Sequence, residues 1–344
     1  MSFTVTARNV NEALPLVLDL IREHGKASDS RNGKVLRLPK PIVVEYTHPK
    51  ERVLFSPERD ANPFFHLMES LWMLAGREDT EFPVFFAKNL ATYSDDGKTL
   101  NGAYGYRWRK HFAYNNGGKI MDQLEEAIKI LKADPNSRRV VVSMWDGYND
   151  LTNQKSKDIP CNTHLYFEIQ DNRLNMTVCN RSNDIIWGMC GANVVHFSVL
   201  QEYVASKLEV DVGSYFQISN NAHCYVENEV YQKTKNLFQL SKFKNYFYPF
   251  DNEKTYPICA SPTFDKELEL FFKYFDSGFK DKNCLLEMFK LNESGFMWTS
   301  AVRMLESYRH YKNKNKDEAI LNLASLDCED WKLACTQWLN RRKY

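Results

Sequence analysis

The chain has 344 residues, a formal net charge of +1, 43% hydrophobic residues and 14% aromatic residues. This balance excludes a disordered polar chain, and near-neutral charge without basic clusters gives no case for a nucleic-acid partner. No apolar run reaches the roughly 18 residues of a membrane span, and residues 1–11 lack the apolar core of a signal peptide. The eight cysteines contain no C-x-x-C pair and form no secreted disulfide pattern, so a reducing, cytoplasmic setting is expected, with no metal.

In chain order, apolar residues at helical spacing (Leu14, Val17, Leu18, Ile21) predict a helix over Val10–His24 that stops near Gly25. Ser28–Lys34 reads as a polar loop with a turn signal at Asn32-Gly33, and Val35–Val44 as extended chain. Asn62-Pro63 opens a strongly apolar helix, Phe64–Ala75, with Glu69 in its middle. An amphipathic helix over Met121–Lys132 closes at Asp134-Pro135. Arg138–Trp145, His164–Ile169 and Leu174–Asn180 are β-rich. Asn193–Lys207 reads as a long, mostly apolar helix, and Phe216–Ile218 as a short strand. From about Asp265 the chain is helical and Lys-rich. The mixture predicts an α+β fold, a large mixed sheet with surrounding helices, over 1–255, followed by a helical C-terminal extension over 256–344 of unassigned role.

One cysteine stands out. If the strand after Cys161 pairs with the strand before Arg181, the two residues share one end of a hairpin, and a guanidinium beside a thiol lowers its pKa and favours the nucleophilic thiolate. A lone cysteine is more often a small buried hydrophobe, so its neighbours have to carry the case. Arg31 lies in the early turn, Arg138-Arg139 runs into a strand, and Arg181-Ser182 follows one; arginine with a serine hydroxyl suits a phosphate. Glu69 lies on an apolar helix face, where a carboxylate is costly unless paired or used for proton transfer. Asp184, Asn193, His223 and Tyr225 are polar groups in apolar context, suited to hydrogen-bonding a base and a sugar.

Taken together, Pro160-Cys161, Arg181-Ser182-x-Asp184, Gly188, Asn193 and His223-x-Tyr225 resemble the thymidylate synthase superfamily. So do Asp134–Arg139, Glu69-x-Leu71-Trp72 and Tyr104-Gly105-x-x-Trp108-Arg109, and the match runs over about residues 10–230. The resemblance implies that Cys161 adds to C6 of a pyrimidine nucleotide. It implies that Arg31, Arg181 and Ser182 hold the 5′-phosphate, joined by Arg138 and Arg139 from the other subunit of a homodimer. Asn193 would read the base edge, and His223 and Tyr225 the sugar. Asp184 would lie between base and folate, Tyr93 and Trp72 beside the folate, and Glu69 would relay protons with Tyr104 nearby. The cosubstrate would be 5,10-methylenetetrahydrofolate.

The chain departs from the synthase pattern in ways that bear on the product. Asn162 follows the nucleophile where synthases have His, and Tyr93 in Thr92–Asp96 replaces a Trp. Asn183 stands where Cys is common, the stretch Arg181–Asn193 is one residue longer, and no synthase-type C-terminal tail is recognisable. This wording is closer to the nucleotide hydroxymethylases. A wetter pocket favours water over hydride as the group that captures the activated carbon. The sequence therefore predicts a hydroxymethylase acting on dUMP or dCMP. A divergent thymidylate synthase, a dCMP- or CMP-specific hydroxymethylase and a non-catalytic nucleotide-binding protein are the alternatives. Asn193 favours uracil, but a side-chain amide can flip to suit cytosine.

Overall fold

The structure, a computed structural model, describes residues 2–113, 120–153, 155–237, 248 and 255–343. Helix α1 (Val10–His24) begins at Asn9, whose side chain accepts the N–H groups of Asn11 and Glu12, and ends where the Gly25 N–H reaches Ile21 O. Its buried stripe of Leu14, Val17, Leu18 and Ile21 is the one the spacing predicts. The main sheet has six strands in the order β1 (Phe3–Ala7), β4 (Ile42–Tyr46), β9 (Asp211–Ser219), β7 (Arg173–Asn180), β6 (Asn162–Gln170) and β5 (Val141–Ser143). It is mixed: β1–β4 and β7–β9 run parallel, the other pairs antiparallel. A smaller sheet orders β2 (Lys26–Ser30), β3 (Gly33–Arg37), β10 (Ala222–Tyr225) and β8 (Asn183–Asp184).

Three expectations change. Ser28–Lys34 is not a loop throughout but most of a β2–β3 hairpin, turning at Arg31-Asn32 with Gly33 at φ 113°. Most residues of its two strands face solvent, although Val35 is buried. The strand within Arg138–Trp145 shrinks to β5, at the sheet edge, and the strand around Phe216–Ile218 grows to nine residues because it pairs on both sides.

Helix α2 (Pro63–Leu74), capped by Asn62, packs along α7 (Asn193–Leu208), which is buried on almost every side from Val194 to Ala205. Between them in sequence come α3 (Glu81–Phe86), the short turn α4 (Tyr104–Tyr106), α5 (Gln123–Ala133) and α6 (Gly147–Thr152). A Cβ on Gly105 would fall 1.9 Å from Met73 O, so α4 lies directly on α2. After α8 (Glu229–Thr234) come α9 (Phe264–Asp276), α10 (Lys282–Leu291), α11 (Val302–Lys312), α12 (Lys316–Ala324) and α13 (Glu329–Asn340). These later helices share one apolar core with the rest. Phe82 of α3 meets the rings of Phe271, Phe272 and Phe275, and Trp338 of α13 meets Phe64 of α2. Among the described residues no helix is long and apolar enough to cross a membrane.

Candidate active site

The β6–β7 register pairs Asn162 with Asn180, which puts Cys161 and Arg181 at one end of the hairpin. The Arg181 N–H donates to Cys161 O at 2.9 Å. Its guanidinium donates to Pro160 O (2.8 Å) and Ile159 O (2.9 Å), leaving Nη2 3.8 Å from Cys161 Sγ. The Tyr104 hydroxyl accepts from the N–H groups of Cys161 (3.3 Å) and Asn162 (3.4 Å). Asp158, three residues upstream, accepts the Gly102 N–H at 2.7 Å and braces the same loop. The titration of the thiol differs from what Arg181 alone implies. Burial pushes it above the ordinary thiol value; Arg181 pulls it down, Asp158 pushes it up and Arg31 pulls it down.

Beside this loop lies a cleft of about 1080 Å³ whose lining includes Arg31, Tyr93, Asp184, Trp187 and Tyr225. Arg31 sits on the hairpin turn, with Nη2 3.3 Å from Lys157 O. Asp184 caps the segment Ile185–Ala192: Oδ1 accepts from Ile186 and Trp187 N–H, while Oδ2 is buried with no partner. Burial raises the pKa of Asp184 against the pull of those N–H groups, His223 and Arg59. Arg59 stacks on Trp187 (4.2 Å) and donates to Ile186 O; burial lowers its own pKa to about 10. His223 pairs in register with Asp184, and its ring meets Tyr225 edge-on at 5.4 Å. Ser182 is half-buried between Arg181 and Asn183. Arg138 and Arg139 are exposed ahead of β5 and do not line this cleft. Trp72 points into the core, with Nε1 3.2 Å from Asp79 Oδ2, and does not line it either.

A chain of buried amides fixes how Asn193 is presented. Met189 O is a backbone carbonyl and only accepts, so Gln217 Nε2, at 2.9 Å, must donate to it. Gln217 Oε1 then accepts from Asn183 Nδ2 (3.0 Å), and Asn183 Oδ1 accepts from Asn193 Nδ2 (3.2 Å). Asn193 is left with a free acceptor, Oδ1. A second branch runs from Asn183 through Ser219 Oγ to Asn180 and ends on Asn162, whose Nδ2 is a buried donor without a partner. Gly188 makes room for this relay, since a Cβ there would lie 2.5 Å from Asn183 Oδ1.

Glu69 of α2 faces His196 of α7, Oε2 to Nε2 at 2.9 Å, a contact not aligned as a hydrogen bond. His196 is 5% exposed, and Nδ1 has no partner. Sequence reasoning missed His196, Gln217 and Arg59, and saw Asn183 only as a departure. Two of them carried a signal. His196 lies three residues after Asn193, on one helix face, and Gln217 shares the inward face of β9 with Tyr215.

The sequence model of the thymidylate synthase family matches residues 17–246. A deoxyuridylate hydroxymethyltransferase of Pseudomonas phage M6 is 41% identical over 98% of this chain and 94% of its own length. One of Bacillus phage SP01 is 38% identical over 62% of this chain and 57% of its own. A thymidylate synthase of Buchnera aphidicola is 29% identical over 50% of this chain and 62% of its own.

Proposed function

The chain belongs to the thymidylate synthase family, and from that premise we propose that it is a folate-dependent hydroxymethylase converting dUMP to 5-hydroxymethyl-dUMP. The observation that carries the nucleophile is Cys161 Sγ, 3.8 Å from the Arg181 guanidinium at the end of β6. In this reading Arg31, Arg181 and Ser182 hold the nucleotide phosphate, with Arg138 and Arg139 reaching it from the partner of a homodimer. Arg138 and Arg139 are exposed ahead of β5, where a second subunit can reach them. His223 and Tyr225 hold the sugar.

The Cys161 thiolate adds to C6 and makes C5 electron-rich. Folate supplies the one-carbon unit at C5; the unpartnered Oδ2 of Asp184 is an acceptor suited to its amide-like ring edge, and Tyr93 lines the same space. Glu69 moves protons at the base. Loss of the C5 proton, with departure of tetrahydrofolate as the bond from its nitrogen to the one-carbon unit breaks, leaves an exocyclic methylene on the nucleotide, and water captures it. Tyr93 and Trp187 at the cleft are 40% and 43% exposed, which supports a site open to water.

The free acceptor of Asn193 favours uracil. Uracil offers N3–H as a donor, whereas N3 of cytosine is an acceptor and would meet Oδ1 with two lone pairs face to face. The nearly full-length likeness to a deoxyuridylate hydroxymethyltransferase supports the same base and the same product. The test is incubation with 5,10-methylenetetrahydrofolate and dUMP, dCMP or CMP in turn, with mass identification of the product. The expected product is 5-hydroxymethyl-dUMP. A methylated nucleotide with equimolar dihydrofolate would make the protein a synthase instead.

A further inference from the structure

Hydride capture of a methylene needs no base; water capture does, because the attacking water must lose a proton. A hydroxymethylase thus has work for a proton acceptor that a methylating enzyme lacks. Resting on the reading above, we propose that His196 is the residue that takes this proton, with Glu69 stabilising the imidazolium that forms.

Its position supports this role. His196 lies one helical turn after Asn193, so both side chains leave α7 on the same face. The imidazole is buried, yet neither ring nitrogen has an aligned hydrogen-bond partner. Buried polar atoms left unpaired are rare and are commonly satisfied by a water or a ligand. The carboxylate of Glu69 stands 2.9 Å from Nε2, close enough to stabilise a positive ring. His66 is a further titratable neighbour; burial, Arg59 and His196 hold it well below the usual imidazole range, so it stays neutral. Several other polar groups of the site are already engaged. Tyr104 already accepts two backbone N–H groups, Oδ1 of Asp184 accepts two more, and His223 sits on β10 against Tyr225.

The step balances without an oxidant or reductant. The water oxygen bonds to the methylene carbon, its proton goes to His196, and the methylene π pair moves into the ring as an enolate. That pair then re-forms C5=C6 as the C6–S bond breaks, and Cys161 leaves as thiolate.

The experiment uses dUMP labelled with tritium at C5, so that tritium release reports the steps before capture and 5-hydroxymethyl-dUMP reports the capture. His196→Asn and His196→Gln are compared with the wild-type enzyme, and the covalent adduct with 5-fluoro-dUMP and folate checks that each variant is folded and competent. The expected result is adduct formation, tritium release within roughly threefold of wild type, and hydroxymethyl product lower by about 100-fold. An added thiol should intercept the waiting methylene as a thioether. The proposal is overturned if tritium release falls in step with product, if product is unchanged, or if both variants lose the adduct. Wild-type enzyme that releases tritium but yields only methylated nucleotide would instead overturn the hydroxymethylase reading itself.

Discussion

The Cys161 thiol is pulled both ways: burial and Asp158 favour the neutral form, Arg181 and Arg31 the anion. Because the thiolate is the nucleophile, removing a cation must move reactivity to higher pH and removing the carboxylate must move it lower. Arg181→Met is therefore expected to shift the midpoint of iodoacetamide alkylation upward and to slow alkylation at pH 8 severalfold. Asp158→Asn should shift the midpoint downward. Unmoved midpoints in both variants would mean that neither group is felt by the sulfur. Pairing Cys161 with Arg181 was legible from sequence because a two-residue turn, Asp171-Asn172, joins β6 to β7 and fixes which residues share an end. The net upward shift was not, since it depends on how much protein encloses the sulfur. The pairing of His196 with Glu69 was hidden for a related reason: the packing of α2 on α7 brings the two together.

Four elements meet at the amide relay: β8, the segment Ile185–Ala192, the first turn of α7, and β9. Its polarity starts from one backbone carbonyl, so each downstream amide has a single favourable orientation. Gly188→Ala drives a methyl into Asn183 Oδ1 and should release Asn193 to rotate. Asn183→Ala removes the anchor outright. Each variant is expected to lower the preference for dUMP over dCMP, read as the ratio of kcat/KM values, by roughly tenfold, the worth of about 1.4 kcal/mol or one hydrogen bond. An unchanged ratio with lower overall activity would show that the relay supports the fold but does not read the base. At this scale the long helices were plain from periodicity, α1 and α7 to within a residue. Boundaries failed where pairing, not propensity, decides, as in the exposed β2–β3 hairpin and in β9, lengthened by neighbours on both sides. Sequence left the orientation of the Asn193 amide open; in the structure Gln217, two strands of sheet away from β6, sets it through Asn183.

Helices α9 to α13, which motif reading left without a role, reach the site in two physically different ways. Through the core, Trp338 of α13 packs on Phe64 at the start of α2, the helix that carries Glu69. At the cleft rim, Arg341 and Arg342 donate to opposite oxygens of Asp60, a cleft-lining residue, at 2.9 and 2.7 Å. The first contact is buried apolar area and the second is a partly exposed ion pair, so they should separate cleanly on mutation. Trp338→Ala is expected to cost about 3–5 kcal/mol in denaturant unfolding, and fluorescence and circular dichroism should still report one shared transition, because 1–255 and 256–344 contribute to one core. Two transitions would mean that the later helices fold as their own unit. Asp60 has φ 47°, a conformation that Asn tolerates, so Asp60→Asn removes the charge with little backbone strain. Its stability change should stay within about 1 kcal/mol, as for exposed ion pairs. What should change is the KM for folate, rising severalfold while the KM for dUMP holds, because the chain after α13 is then no longer held at the rim of the cleft. Equal rises in both KM values would place Asp60 in nucleotide binding instead, and an unchanged pair would reduce the two arginines to surface charges.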